Sequence, residues 1–106
     1  VSARGDHSLA LAADGAVWSW GYGYRGKLGH GDEQAQRQPR KVEALAGQRV
    51  VAVSAGGGHS LAVTADGDTF TCGDGSHGGL GHGEELSNQL LPKKVEALAG
   101  QRVVAV

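Results

Sequence analysis

The chain contains no methionine, one cysteine, two prolines, and only two tryptophans, two tyrosines and one phenylalanine among its 106 residues. Each scarcity excludes something. A lone Cys72 cannot build an internal disulfide framework, and it points to a reducing, intracellular compartment, cytoplasmic or nuclear. The missing methionine means that the chain carries no start residue, which points to a processed or excised segment. Few aromatics leave little material for a large independent core, and a chain of this size buries only about two-thirds of its unfolded surface. No apolar run approaches the ~20 residues of a membrane-spanning helix, and no signal peptide opens the chain. Ten Lys and Arg against eleven Asp and Glu leave a net charge of −1, too balanced for binding nucleic acid or an anionic membrane through bulk charge.

What is plentiful is glycine, 19 of 106 residues against an ordinary usage of ~7%. The second abundance is repetition. The string "KVEALAGQRVVAV" occurs at Lys41–Val53 and again at Lys94–Val106. His7-Ser8-Leu9-Ala10 returns as His59-Ser60-Leu61-Ala62, and "WSWGYGYRGKLGHG" (Trp18–Gly31) is answered by "FTCGDGSHGGLGHG" (Phe70–Gly83), both at a shift of 52. One extra residue then enters before Pro92, so that Pro39 and Lys41 match Pro92 and Lys94 at a shift of 53. The chain is two consecutive copies of one unit, 1–53 and 54–106.

Each unit reads as short strands. Arg49–Ala55 is valine-rich without helical spacing, and His59–Thr64 is a short apolar run. The pairs Asp14-Gly15 and Asp66-Gly67 predict tight hairpins of type I′, with positive φ at both central residues. Val17–Trp20 and Thr69–Cys72 are the return strands, and a fourth strand is expected near Lys94–Glu96. "EALAG" (Glu43–Gly47) fits one helical turn stopped by Gly47. Four short strands per ~50 residues, punctuated by glycine, match a propeller blade in size.

The segment "GGGHSLAVTADGDTFTCGDGSHGGLGHG", followed by "LPKKVEAL", resembles the regulator of chromosome condensation repeat. The pattern of that family runs G-x-x-H-[ST]-x-A-[LV]-[ST]-x-x-G, an aromatic-x-[WF]-G stretch, G-x-L-G-x-G, then proline. Both copies fit it over nearly the whole chain, with Cys72 where Trp or Phe is usual and Trp20 keeping the pattern. The resemblance implies an all-β fold, a seven-bladed propeller of four-stranded antiparallel blades, in which His7 and His59 bridge loops and Trp18 and Trp20 pack between blades. Both tryptophans are accordingly expected to be buried in the assembled state.

Chemistry is sparse. The cluster Gly56-Gly57-Gly58 and the loop glycines lack the following helix that a phosphate cradle requires, so positive-φ turns are the better reading. Matched histidines lie a whole unit apart, which gives no converging metal ligands. Cys72 stands where the first copy has Trp20, a position for a buried filler and not a nucleophile. No cofactor, metal or catalytic activity is expected. The plant ultraviolet-B photoreceptor belongs to the same repeat family, but its G-W-R-H motif is replaced here by Gly57-Gly58 and by Gly5-Asp6 before the histidines. The founding member exchanges nucleotide on a small nuclear GTPase through an inserted hairpin, for which neither copy has room.

The functional expectation is a non-catalytic protein-interaction scaffold. "YGYRGK" places Tyr22, Tyr24, Arg25 and Lys27 in one loop, residue types that dominate binding hot spots. The matching "DGSHGG" is small and mildly acidic, with His77 as its candidate contact. Gly15 and Gly67 are structural. The spare terminal strand Gln101, Arg102, Val103, Val104, Ala105 and Val106 is expected to complete the first blade of a second copy, head to tail, in rings of three or four chains. The alternatives are further repeats of a parent chain, an engineered self-assembling piece, or part of an exchange factor or ubiquitin ligase whose active parts lie elsewhere.

Overall fold

The computed structural model describes residues 2–4, 6–75, 80–81 and 88–96. They form two four-stranded antiparallel sheets in chain order. The first blade comprises β1 (Ser2–Arg4), β2 (His7–Leu11), β3 (Val17–Gly21) and β4 (Gln36–Lys41). The second comprises β5 (Val50–Ala55), β6 (His59–Thr64), β7 (Thr69–Gly73) and β8 (Gln89–Lys94). The registers repeat as the sequence does: Ser8 pairs with Trp20 and Ser60 with Cys72, Gly21 with Gln36 and Gly73 with Gln89. No helix among the described residues is long and apolar enough to cross a membrane.

Strand β5 belongs wholly to the second sheet, so the structural blade begins at Val50, a few residues before the 53/54 seam of the sequence repeat. The fourth strand also differs from expectation. It lies at Gln89–Lys94, N-terminal of the expected Lys94–Glu96, and passes through Pro92 as β4 passes through Pro39. Both strands are outermost in their sheets, where a missing N–H breaks no ladder on the open side.

The Asp-Gly turns are real hairpins but not of the two-residue kind. Ala12 and Ala16 close the first hairpin while Gly15 N–H returns to Ala12 O at 3.0 Å; Thr64, Asp68 and Gly67 repeat the pattern. Only the glycines take positive φ, +89° at Gly15 and +88° at Gly67. This is the three-residue loop in which a turn ends on a left-handed glycine. Asp14 earns its place through its side chain, whose Oδ1 accepts the N–H of Ala16 at 3.0 Å. Valine at Gly15 or Gly67 should cost about 2 kcal/mol, from backbone strain at both sites. Gly15 adds crowding, since a Cβ there would stand 3.1 Å from Arg49 Cα. Thermal melts by circular dichroism with an unshifted midpoint would remove this assignment.

The core sits between the blades. Leu9, Val17, Val42 and Leu45 on the side of the first blade meet Val50 and Ala62 of the second, with Val53 and Phe70 packed against them. Each fully buried leucine or valine among them contributes about 1.5–3 kcal/mol. Leu45 is delivered by the 3₁₀ turn Glu43–Leu45, and Gly47, at φ +84°, follows the turn. On β2 and β3, His7, Leu9, Val17 and Ser19 are buried while the alternate residues face away from the second blade. Trp18 is therefore 37% exposed and Trp20 half-buried in the two-blade chain, whereas their expected burial concerns the assembled state. Their counterparts Phe70 and Cys72 face the first blade and are covered by it.

Candidate interaction surface and interblade joint

The loop after β3 begins at Gly21, whose φ of +105° turns the chain against the Asp6 carbonyl, where no Cβ fits. A 3₁₀ turn, Tyr24–Gly26, then lies across β7 and β8. Inside it Arg25 holds φ +62°, a left-handed conformation that costs an arginine about 1–2 kcal/mol. Three contacts offset that strain. Its N–H donates to Glu33 Oε1 at 2.7 Å, its guanidinium lies 5.0 Å from the Tyr24 ring centroid, and its Nη1 is 3.2 Å from Asp74 Oδ1 on the second blade. Tyr22 and Tyr24 are both 61% exposed.

Lys27 does not reach the surface. It is 5% exposed, and its Nζ donates to Asp6 Oδ1 at 2.7 Å and to the Gly57 carbonyl at 3.4 Å. The hydrogen bond from Lys27 holds the Asp6 carboxyl below its ordinary pKa. A buried cation needs such partners, and this requirement takes Lys27 out of the expected partner-binding set. His77 and Gln101–Val106 lie outside the described residues.

The backbone carbonyl of Lys27 is the centre of the joint. It accepts Ser60 Oγ–H at 2.6 Å and, more weakly, the Cys72 thiol at 3.7 Å. Ser60 has one proton and spends it there, so the 3.0 Å contact with His7 Nε2 has histidine as the donor. Ser19 repeats the logic: it donates to Leu28 O at 2.7 Å and receives His30 Nε2–H at 2.9 Å. Burial first, then the charge of Arg40, lowers the His30 pKa and favours the neutral ring. Thr71 stands in the Ser19 position of the second blade and donates to Leu80 O at 2.8 Å. His59, half-buried, lies over Gly56, where a Cβ would meet the ring at 2.6 Å.

Burial pushes the Cys72 thiol up to about 12. At pH 8 it should therefore resist alkylation by iodoacetamide in the folded chain and react freely in 6 M urea. Equal rates in the two conditions would place the thiol at the surface. Ser19, Ser60, Asp6 and Asp74 were not singled out from the sequence. The one visible signal was the recurring His-Ser pair, whose serine completes the bridge from the neighbouring blade.

Comparison with known proteins agrees with this architecture. The family model described as the regulator of chromosome condensation (RCC1) repeat matches residues 14–63 and 66–106, and a second model of that repeat matches residues 50–78. The 14–63 match runs from β3 through β6, so it takes the last two strands of the first sheet and the first two of the second. The E3 ubiquitin-protein ligase HERC2 of Homo sapiens is 51% identical over all 106 residues, which span 2% of its length. The crystal structure of human WBSCR16 superposes with a TM-score of 0.80 at 33% identity, covering 87% of this chain and 23% of that one. Prp20p of Saccharomyces cerevisiae, whose structure was described together with its binding to Gsp1p and histones, gives 0.79 at 26% identity, covering 89% and 24%. The chain thus spans a quarter or less of each of these proteins. Two model matches covering most of the chain, on two sheets that repeat in register, establish that the chain belongs to the regulator of chromosome condensation (RCC1) repeat family.

Proposed function

We propose that the chain contributes two consecutive blades to a longer β-propeller and acts there as a non-catalytic scaffold that binds protein partners through its loops. The observation that carries this reading is the asymmetry of the two blades. The second blade has its joint face covered by the first, whereas the equivalent face of the first, with Trp18, stands open. A preceding blade would cover it as the first blade covers Phe70. The small share of each relative that the chain spans supports the same setting.

The partner surface is centred on Tyr24. Its ring is exposed yet held by the stacked Arg25, which lowers the entropy cost of binding. Tyr22 is the register counterpart of Asp74, a joint residue, and is assigned to the joint instead. In the full-length polypeptide, Tyr24→Ala should cost no more than about 1 kcal/mol, through the lost Arg25 contact, and lose a bound protein. Retention of every partner would count against the loop role. Similarity to HERC2 supports a ubiquitin ligase whose catalytic part lies elsewhere on the polypeptide, and similarity to Prp20p, described with its binding to Gsp1p and histones, supports a protein-binding setting.

A second reading has the open edge filled by another copy, head to tail, in rings of three or four chains. Among the described residues β1 pairs only with His7, Ser8 and Leu9, which leaves Ala10 and Leu11 without partners on that side. Sedimentation decides between the readings: a folded monomer at micromolar concentration removes the ring.

A further inference from the structure

The joint exists twice in this chain, once occupied and once open. In the second blade Ser60, Cys72, Asp74 and Leu90 receive the turn Tyr24–Gly26. Ser60 and Cys72 bind the Lys27 carbonyl, Asp74 pairs with Arg25, and Leu90 lies so near Gly26 that a Cβ there would stand 2.5 Å from its Cα and Cδ2. The loop is fastened again where Gly31 N–H donates to Leu90 O at 2.9 Å and where Gly29 rests on Pro92. The register sets Ser8, Trp20, Tyr22 and Arg37 at the corresponding positions of the first blade. There Asp6, Trp20, Tyr22, Gln36 and Arg37 border an open concavity of about 390 Å³.

The two sockets share their framework and differ in charge. Both have the serine that can donate to a backbone carbonyl and the proline that can lie over a glycine, so any repeat of this family meets those terms. Selection falls to the remaining positions. Tyr22 replaces Asp74, Arg37 replaces Leu90, and Asp6 replaces Gly58. The charge of Asp6 is already answered by Lys27 at 2.7 Å. Arg37 is exposed and makes no ion pair among the described residues. An incoming turn with arginine at the Arg25 position would lose its carboxylate partner and approach a second cation.

We propose that this concavity receives the glycine turn of a further repeat that carries Asp or Glu at the position Arg25 holds in the first blade's own turn. The inference rests on the longer-propeller reading and adds the chemistry of the neighbour. The incoming carboxylate takes the planar fork of the Arg37 guanidinium and the Tyr22 hydroxyl. The second repeat of this chain has His77 at that position, so a second copy is not the favoured occupant.

The test joins a copy of residues 1–52 ahead of Val1, which brings the copy's 22–31 loop to the open concavity. The copy's two tryptophans are replaced by phenylalanine, so that fluorescence reports Trp18 and Trp20 of the receiving blade alone. Two forms are compared, with Arg25 of the copy retained or changed to Glu. The Glu form should melt higher by ~3–6 °C. The order should reverse when the receiving blade carries Tyr22→Asp with Arg37→Leu. Equal midpoints, or a higher midpoint for the Arg form, would overturn the proposal even where the tryptophans become protected from acrylamide. Tryptophans quenched as in the 106-residue chain in both forms would overturn the longer-propeller reading itself, and the proposal with it.

Discussion

Replacing Gly26 with valine should cost more than 3 kcal/mol and bring the chain near to unfolding at room temperature, since a domain of this size is stable by only about 5–15 kcal/mol. Two independent penalties meet at this residue. Its φ of +82° is a left-handed conformation that a β-branched residue tolerates badly. A Cβ would also collide with the Leu90 backbone and stand 2.9 Å from the Gln89 carbonyl, so the strand opposite would have to move. That strand is β8 of the other blade, and the displacement would open the joint. Two control positions separate conformation from space. Gly47 has the same kind of backbone, φ +84°, but nothing within 4 Å of a built Cβ, so Gly47→Ala should cost only about 1 kcal/mol of strain. Gly57 has open space and no positive φ, and Gly57→Ala should stay within ~0.5 kcal/mol. Urea denaturation that ranks the three differently would sink the assignment of Gly26 as the close-approach point of the joint.

This ranking also separates what the sequence disclosed from what it did not. The strands β2, β3, β5, β6 and β7 could be read because apolar residues and hairpin glycines mark them, and the 52-residue shift let each copy check the other. The fourth strand of the second unit lies N-terminal of its expected place because Pro92 looks like a strand breaker, and only the knowledge that it lies at a sheet edge removes that objection. The resemblance implies burial of Trp18 between blades of the assembled propeller, and in this chain its exposure is set by the face it occupies and not by its residue type. Its face points away from the one neighbouring blade that this chain supplies. Lys27 does depart from its expected place at the surface. A lysine in a glycine-rich loop suggests solvent, and nothing in the string reveals that Asp6, twenty-one positions earlier, lies 2.7 Å from its Nζ. The joint itself was invisible for a similar reason. Its central acceptor is a backbone carbonyl, which has no letter in a sequence.

Ser60→Ala is the second large effect, and it tests that carbonyl. The hydroxyl of Ser60 is at once donor to Lys27 O at 2.6 Å and acceptor from His7 Nε2–H at 3.0 Å, both in the buried joint. Alanine takes away both roles and offers nothing in return. Among the described residues the carbonyl then keeps only the long contact from the Cys72 thiol at 3.7 Å, and the imidazole N–H loses the Ser60 hydroxyl as acceptor. At about 1–3 kcal/mol for each buried group left short of a partner, the loss should come to roughly 3 kcal/mol. For a chain of this size that corresponds to a fall of 10 °C or more in the melting temperature. His7→Leu should destabilise as well, and the double variant should fall short of the sum, because one hydroxyl serves both bonds. Additive losses would mean that His7 and Ser60 act separately and that the bridge does not exist. Ser8 is the comparison that gives the experiment its reach. It has the same register position on β2 as Ser60 on β6, but its face is not covered by a neighbouring blade. Ser8→Ala should therefore change the midpoint of the 106-residue chain by less than about 0.5 kcal/mol and become as costly as Ser60→Ala once a preceding blade is joined. The same substitution at two positions related by the repeat would then differ in cost for one reason, the presence of a neighbouring carbonyl.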